Sequence, residues 1–223
     1  MIAVIFGGIA FAVALALQLS VHRYIASVYW LAVVMVAVFG TMAADVLHVR
    51  LGVPYAVSTV TFAVALVIVF VAWYRIEGTL SIHSVDTPRR ELFYWAAVLS
   101  TFALGTAVGD TTAYTLHLGF FTSGVVFAVV ITLPALAHWL LGLGEVAAFW
   151  FAYIVTRPLG ASFADWMGVP RSLGGLNLGR GTVGIGLTIV IIGFVGYLTV
   201  TRVDDQDRGG TQHSATLESK PPA

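Results

Sequence analysis

The chain has 223 residues, of which 59% are hydrophobic and only 10% are charged, against roughly a quarter charged in an average soluble domain. Its formal net charge at pH 7 is zero and it has no polybasic patch, which argues against a nucleic-acid partner. It contains no cysteine, which excludes disulfides and thiolate metal sites. The composition predicts an all-α integral membrane protein whose surroundings are the lipid bilayer.

Seven apolar runs follow one another along the chain, each about as long as a helix needs to cross a hydrocarbon core about 30 Å thick. They lie near residues 2–20, 27–45, 55–74, 92–113, 120–141, 145–166 and 181–201. The first run lacks the basic start of a secretory signal, although Ala14-Leu15-Ala16 offers a small-x-small pattern that a peptidase accepts. We therefore expect seven transmembrane helices within residues 1–201.

The most informative pattern is a seventeen-residue unit that occurs three times without a gap. Each copy begins with an aromatic residue followed by Trp, contains a shared Gly and ends on Asp. The copies are Tyr29–Asp45, Tyr94–Asp110 and Phe149–Asp165, with the shared glycines Gly40, Gly105 and Gly160. Each copy is followed by a turn segment containing Gly or Pro and by a second apolar run, so the repeat is a two-helix hairpin.

The hairpins divide the chain into parallel repeats. A half repeat covers residues 1–24, and full repeats cover 25–75, 92–141 and 145–201. The polar segment 76–91 is predicted to be a cytoplasmic linker, and the segment 202–223 a disordered C-terminal tail. Because each full repeat crosses the membrane twice, successive repeats run in the same direction around an axis along the membrane normal. The three aspartates are therefore expected at the same depth.

Basic residues are distributed unevenly between the two sides of this arrangement. One side carries Arg23, Arg75, Arg89, Arg90, Arg202, Arg208 and Lys220, whereas the other carries Arg50, Arg171 and Arg180. Cytoplasmic loops are the ones enriched in Lys and Arg, so the C-terminus is expected in the cytoplasm. The aspartates then lie close to the outer face.

The aspartates Asp45, Asp110 and Asp165 are the candidate functional residues. An aspartate at the centre of a membrane helix costs about 2.5 to 3.5 kcal/mol, so it normally faces the bundle interior and has a partner or a task. Each of these lies fifteen residues after its Trp, about 22 Å along a helix, near the membrane boundary where the cost is smaller. Thr41 and Thr106 precede their aspartates by one helical turn and share their face.

In the third copy Ala161 takes this place and the hydroxyl of Ser162 follows it, and Arg157 is the one basic residue within an aligned helix, a candidate counter-charge. Pro158 beside it predicts a kink. Three carboxylates against one guanidinium suggest a shared site for a proton or for a hard cation such as magnesium, manganese, calcium or sodium, and the identity of a metal stays open. The alternative is that each Asp caps or polarises a helix end and meets water.

The remaining polar residues carry weaker signals. Five histidines fall near predicted helix ends or an interface, and we expect their side chains to be solvated. They are His22, His48, His83, His117 and His138.

Several segments, in this order along the chain, resemble a bacterial family of membrane-anchored proteins that carry a four-fold repeat of unknown function. They are Thr79–Ser84, Arg89–Trp95, Phe102–Ala107 and Thr156–Ser162. The resemblance implies eight helices in four hairpins and a fourth acidic position in a first helix, which this sequence lacks. It implies a location in the bacterial cytoplasmic membrane and no established activity.

Two functions compete at this stage. The first is a small ion- or proton-coupled carrier or exporter that uses the repeated aspartates. The second is a non-catalytic membrane scaffold or regulator in which the aspartates are structural. An intramembrane aspartyl protease is disfavoured because Gly109-Asp110 lacks the Gly-x-Gly-Asp and Tyr-Asp patterns that such enzymes resemble. We therefore expect no enzymatic activity and no cofactor, with a small cation or proton as ligand and a homo-oligomer left open.

Overall fold

The structure is a computed structural model that describes residues 2–21 and 24–201. Throughout these residues the regular elements are helical, and seven helices are long and apolar enough to cross a membrane. The predicted fold class, an all-α multi-pass membrane protein with seven spanning helices, is confirmed. The tail at 202–223 and His22 lie outside the described residues.

The seven spans are built from eight α-helices because one span is interrupted. The helices are α1 (Ile2–Ser20), α2 (Ala26–Asp45), α3 (Tyr55–Glu77), α4 (Pro88–Asp110), α5 (Gly119–Val130), α6 (Leu133–Leu141), α7 (Glu145–Gly168) and α8 (Arg180–Thr201). Helices α5 and α6 form one span, broken near Pro134. Proline has no backbone N–H to bond the carbonyl of the preceding turn, which explains the break.

Two inner helices continue beyond the residue at which the sequence predicted their end. The π-helical segment Val46–Arg50 follows α2 directly, and a second one, Thr111–Thr115, follows α4. Asp45 and Asp110 therefore lie within continuous helical backbone, not at the start of a turn. Single π-helical turns of this kind occur frequently at functional sites.

Helix α4 is the centre of the bundle. It packs against α2, α3 and α7, and half of its most apolar stretch is buried, whereas no residue of α8 is. We call α2, α4 and α7, which carry the repeated unit, the inner helices. The outer helices α1, α3 and α5 each pack on the inner helix of the following repeat, so neighbouring repeats are interlocked.

Two of the three repeated tryptophans, Trp95 and Trp150, are buried inside the bundle, and Trp30 is half-buried. Trp95 and Trp150 belong to the two largest buried clusters. The indole Nε1 of Trp150 donates a hydrogen bond of 2.9 Å to the carbonyl of Leu80, and that of Trp95 donates one of 3.3 Å to Glu91. Trp150 thus joins α7 to the polar connection between α3 and α4, whereas Trp95 bonds to Glu91 on its own helix.

Two of the three shared glycines, Gly40 and Gly105, set the distance between inner helices. A Cβ on Gly40 would lie 2.7 Å from the Cβ of Phe102 on α4, and one on Gly105 would overlap the Cβ of Arg157 on α7. Phe102 and Arg157 occupy the same position of the repeat, seven residues after their Trp. Each inner helix therefore packs on the next in the same register, as small residues allow in membrane bundles.

The connection between α3 and α4 spans residues 78–87, shorter than the predicted linker at 76–91 because α3 continues to Glu77 and α4 begins at Pro88. Arg90 secures it. Its Nε donates to Glu77 at 2.8 Å, and its Nη1 donates to the Ser84 carbonyl at 2.8 Å and to Asp86 at 3.2 Å. We call this end of the bundle the linker end.

Candidate functional site

The three repeated aspartates lie together at the opposite end of the bundle, which we call the acid end. Asp110 is within electrostatic range of both Asp45 and Asp165. Asp165 lies in the last turn of α7, where the helix dipole disfavours an anion, whereas Asp45 and Asp110 are each followed by a π-helical turn. Neither Asp45 nor Asp110 makes a capping hydrogen bond through its side chain. Helix capping therefore does not account for their position.

Arg180, at the start of α8, is the basic residue of this cluster. Its Nε lies 3.3 Å from Oδ1 of Asp165, and it is also within electrostatic range of Asp45 and Asp110. Its side chain is 65% exposed, so solvent screens the pair and weakens it.

A tight loop brings Arg180 back to the cluster. The amides of Leu176 and Asn177 donate hydrogen bonds of 2.9 Å to the carbonyls of Trp166 and Val169, which folds the loop onto the end of α7. Gly175 is required there because a Cβ would collide with the Val169 carbonyl. The pairing of Arg180 with Asp165 was not predicted, because the two residues are separated by a loop whose path the sequence does not reveal.

His48 is the second residue that the sequence analysis missed. The prediction of a solvated side chain is wrong for this histidine, which is only 8% exposed. Its Nδ1 shares a hydrogen bond of 3.2 Å with the Ser58 hydroxyl, and its Nε2 faces Oδ2 of Asp110 at 4.0 Å without a hydrogen-bond partner among the described residues. The π-helical continuation of α2 turns His48 inward. Had the helix been expected to continue, the spacing of three residues would have placed His48 on the same helical face as Asp45.

The predicted hydroxyl residues fall into two groups. The Thr41 and Thr106 hydroxyls lie 3.3 Å apart and join α2 to α4 one turn inside the aspartates. Ser162 lies between α4 and α7 instead, 1% exposed and facing Gly109. Its hydroxyl has no hydrogen-bond partner among the described residues, which makes it a buried polar group available to a ligand.

Arg157 does not occupy the position expected of a counter-charge. Its guanidinium carbon lies 3.9 Å from the centroid of the Phe102 ring and 4.3 Å from that of Tyr153, in cation–π contacts. Asp165 follows it by eight residues, about 12 Å along a helix, beyond the reach of the side chain. The ion pair expected for Arg157 is therefore formed by Arg180.

The carboxylates of the acid end are enclosed to different degrees. The exposed fraction of the carboxylate side chains is 17% for Asp110 and 34% for Asp165, and Asp45 is exposed, so the cluster opens to its surroundings on the α2 side. With Arg180 as the permanent cation, the cluster carries excess negative charge. Within residues 2–21 and 24–201, no three His, Asp or Glu side chains come close enough to hold a metal ion together.

Comparison with known proteins identifies the repeat. A family model described as a Repeat of Unknown Function (DUF347) matches residues 28–79, 93–142 and 148–204, one match for each aligned copy. The resemblance to a repeat family of unknown function is thereby confirmed. No curated protein and no solved structure matches the chain.

Proposed function

Because the chain belongs to the DUF347 repeat family and its repeats bring their aspartates together, we propose that it is an ion- or proton-coupled carrier or exporter. The observation that carries the proposal is the surplus of carboxylates at the acid end, where Asp110 faces the unpartnered Nε2 of His48. Ionisable groups enclosed in membrane bundles commonly mark ion and proton pathways.

The charge balance supplies a means of coupling. Three ionised aspartates repel one another, and Arg180 compensates one of them. A proton or cation bound at Asp110 relieves part of this repulsion and so favours closer packing of the inner helices. A ligand shifts a conformational equilibrium by as much as its affinity differs between the two states. Occupancy of the acid end thereby biases the bundle between two arrangements.

The proposal includes a membrane and an orientation. We place the protein in the bacterial cytoplasmic membrane, with the C-terminus in the cytoplasm and the acid end outside. The distribution of Lys and Arg over the loops supports this orientation. The activity is transport, not an enzymatic reaction, and it needs no cofactor.

Flux measurements on Asp110→Asn test the proposal. The full chain is reconstituted into vesicles of phosphatidylethanolamine and phosphatidylglycerol, and uptake of protons, sodium, magnesium and manganese is followed with entrapped dyes. We expect at least one uptake to fall at least about tenfold in the variant, because Asn cannot be ionised. Asp86→Asn is the control, since the Asp86 side chain is 72% exposed at the linker end.

Unchanged uptake of all four ions in Asp110→Asn would overturn the proposal. It would favour the alternative of a non-catalytic scaffold or regulator, in which the aspartates are structural and tolerate Asn.

A further inference from the structure

A cavity of about 480 Å³ opens at the linker end, on the opposite side of the bundle from the aspartates. It is enclosed by the end of α1, the connection between α3 and α4, and the first turns of α2 and α4. Its volume lies within the range of about 300 to 1,000 Å³ that is usual for small-molecule sites. It shares no residue with the acid end, so it is a separate feature of the molecule.

Glu91, in the first turn of α4, is the acid of this cavity that lacks a counter-charge. Its Oε1 accepts hydrogen bonds from the side-chain amide of Gln18 at 2.9 Å and from the indole of Trp95 at 3.3 Å. Within residues 2–21 and 24–201 no basic side chain pairs with Glu91, whereas the other acid of the cavity, Asp86, pairs with Arg90 at 3.2 Å. Both hydrogen bonds to Glu91 use Oε1, which leaves Oε2 available to a ligand.

Aromatic rings form the walls around this carboxylate. Tyr29 from α2 and Tyr94 and Trp95 from α4 line the cavity. The ring centroids of Tyr29 and Tyr94 lie 5.7 Å and 5.3 Å from that of Trp95, with planes inclined to it by 49° and 75°. The two tyrosine hydroxyls are hydrogen-bonded to each other at 2.9 Å, which holds their rings in place. The walls are therefore built before any ligand enters.

This combination selects the chemistry of a ligand. A carboxylate attracts a cation, and the faces of Tyr and Trp rings bind ammonium groups through cation–π contacts. Magnesium and calcium need several oxygen ligands, whereas this cavity provides one carboxylate free of ion pairs and two tyrosine hydroxyls that already bind each other. An organic cation with alkyl groups on its nitrogen fits these walls better than an inorganic one.

We propose that this cavity binds a small organic cation, an alkylated or quaternary ammonium, between Glu91 and the rings of Tyr29, Tyr94 and Trp95. Glu91 supplies the negative charge, the rings contact the alkyl groups, and Gln18 holds the carboxylate in position. This inference goes beyond the proposed function and does not depend on it, because equilibrium binding requires neither ion flux nor the repeated aspartates.

A purely structural role for Glu91 makes a different prediction. An anion in the first turn of α4 is favoured by the helix dipole, and the bond to Gln18 ties α1 to α4. Such a role would affect stability, but it would not let the protein distinguish a cation from a neutral molecule of the same shape. The experiment therefore compares ligands that differ in charge alone.

Calorimetric titration of the full chain measures this difference. The protein is kept at constant ionic strength in dodecylmaltoside, a detergent without an ammonium group. The probes are choline, tetramethylammonium and 3,3-dimethylbutan-1-ol, which is the neutral carbon isostere of choline. We expect saturable binding of both ammonium ions, and binding of the isostere that is weaker by at least about tenfold, because it gains neither the attraction of the carboxylate nor that of the rings.

Glu91→Gln removes the charge and keeps a side chain that can accept the two hydrogen bonds. It is expected to lower the affinity for choline by at least about tenfold and to leave that for the isostere unchanged. Glu145→Gln is the matched control, since Glu145 is exposed in the first turn of α7 at the same end of the bundle. This control should bind choline like the wild type.

A pair of substitutions at Tyr29 tests the aromatic walls. Tyr29→Phe keeps the ring and is expected to bind choline within about threefold of the wild type, whereas Tyr29→Leu is expected to lose at least about tenfold. The thermal unfolding midpoint is recorded for each variant. Tyr94→Leu replaces Tyr29→Leu if the latter does not elute as a folded species.

Several results would overturn the proposal. They are the absence of saturable binding of both ammonium ions to the wild type, equal affinity for choline and its isostere, and equal choline affinity in Glu91→Gln and Glu145→Gln. Equal affinity in the Phe and Leu variants of Tyr29 would remove the rings from the site. None of these results depends on the flux through Asp110→Asn, so failure of this proposal is distinguishable from failure of the proposed function.

Discussion

At the scale of single residues, the three repeated aspartates are equivalent in sequence and differ in chemistry. Asp45 is exposed, Asp165 is paired with Arg180 at 3.3 Å, and Asp110 lies on the central helix with His48 at 4.0 Å. The three aspartates differ because their neighbours differ. Arg180, for example, follows a loop that is found only in the last repeat. The repeat therefore supplies three acids, of which Asp110 is the one most enclosed and least compensated.

The shared glycines provide a residue-scale prediction with a control inside the same repeat. A methyl group on Gly105 would overlap the Cβ of Arg157, whereas nothing lies within 4 Å of a Cβ on Gly160. Gly105→Ala is expected to destabilise the bundle by about 1 to 3 kcal/mol through overpacking. Gly160→Ala is expected to be neutral or to stabilise by up to about 1 kcal/mol, since Ala is the better helix former.

Thermal unfolding in detergent, followed by tryptophan fluorescence, measures both variants against the wild type. The expected result is a lower midpoint for Gly105→Ala alone. Equal midpoints for the two variants would mean that α4 and α7 do not approach at Gly105.

At the scale of elements, the connection between α3 and α4 is held by one arginine. Arg90 is 24% exposed and binds Glu77, which is 11% exposed, at 2.8 Å. Arg89 binds the same carboxylate at 3.7 Å and is 70% exposed. Hydrogen bonds to a charged group contribute about 1.5 to 3 kcal/mol, whereas exposed ion pairs contribute about 0 to 1 kcal/mol. The two neighbouring arginines should therefore differ in their effect on the connection.

Limited proteolysis with chymotrypsin measures this difference without cutting at Arg. Arg90→Ala is expected to increase cleavage near residues 78–87 by roughly tenfold, which corresponds to the loss of about 1.4 kcal/mol against local opening. Arg89→Ala should cleave like the wild type. Equal cleavage of the two variants would show that Arg90 does not hold the connection closed.

Hydrophobic run length accounts for the seven spans, but it does not predict how helices end. The runs ending at Asp45 and Asp110 were expected to stop there, because a charge and a glycine-containing turn follow. The helical backbone instead continues as π-helical turns, and this continuation buries His48. Of the candidate site, the repeat predicted that the three aspartates lie at one depth, but it did not predict which side chains surround them.

The part of the site that the sequence did not predict depends on side-chain direction. Arg157 was the one basic residue of the aligned helices, so a pairing with an aspartate was the simplest expectation. Its side chain lies instead between the Phe102 and Tyr153 rings, because the close approach at Gly105 fixes where it leaves α7. Sequence spacing gives the distance to Asp165 along the helix, but it does not reveal which neighbouring helix the side chain meets.

At the scale of the whole molecule, the two ends of a membrane-spanning bundle face different compartments. Arg75, Arg89 and Arg90 lie at the linker end, and Arg50, Arg171 and Arg180 at the acid end. These arginines are equal in number at the two ends, so the expected orientation depends on Arg23 and on the basic residues after Thr201 in the sequence. The expected arrangement has the linker end in the cytoplasm and the acid end outside.

Single cysteines test this orientation without background, since the chain has no cysteine of its own. Leu51→Cys at the acid end, where the side chain is 68% exposed, should react with a membrane-impermeant maleimide in intact cells. His83→Cys, in an exposed turn at the linker end, should react only after permeabilisation. Leu173→Cys, 52% exposed in the loop before Arg180, should behave like Leu51→Cys because both lie at the acid end. The reverse pattern would turn the bundle over, with the acid end in the cytoplasm and the linker end outside.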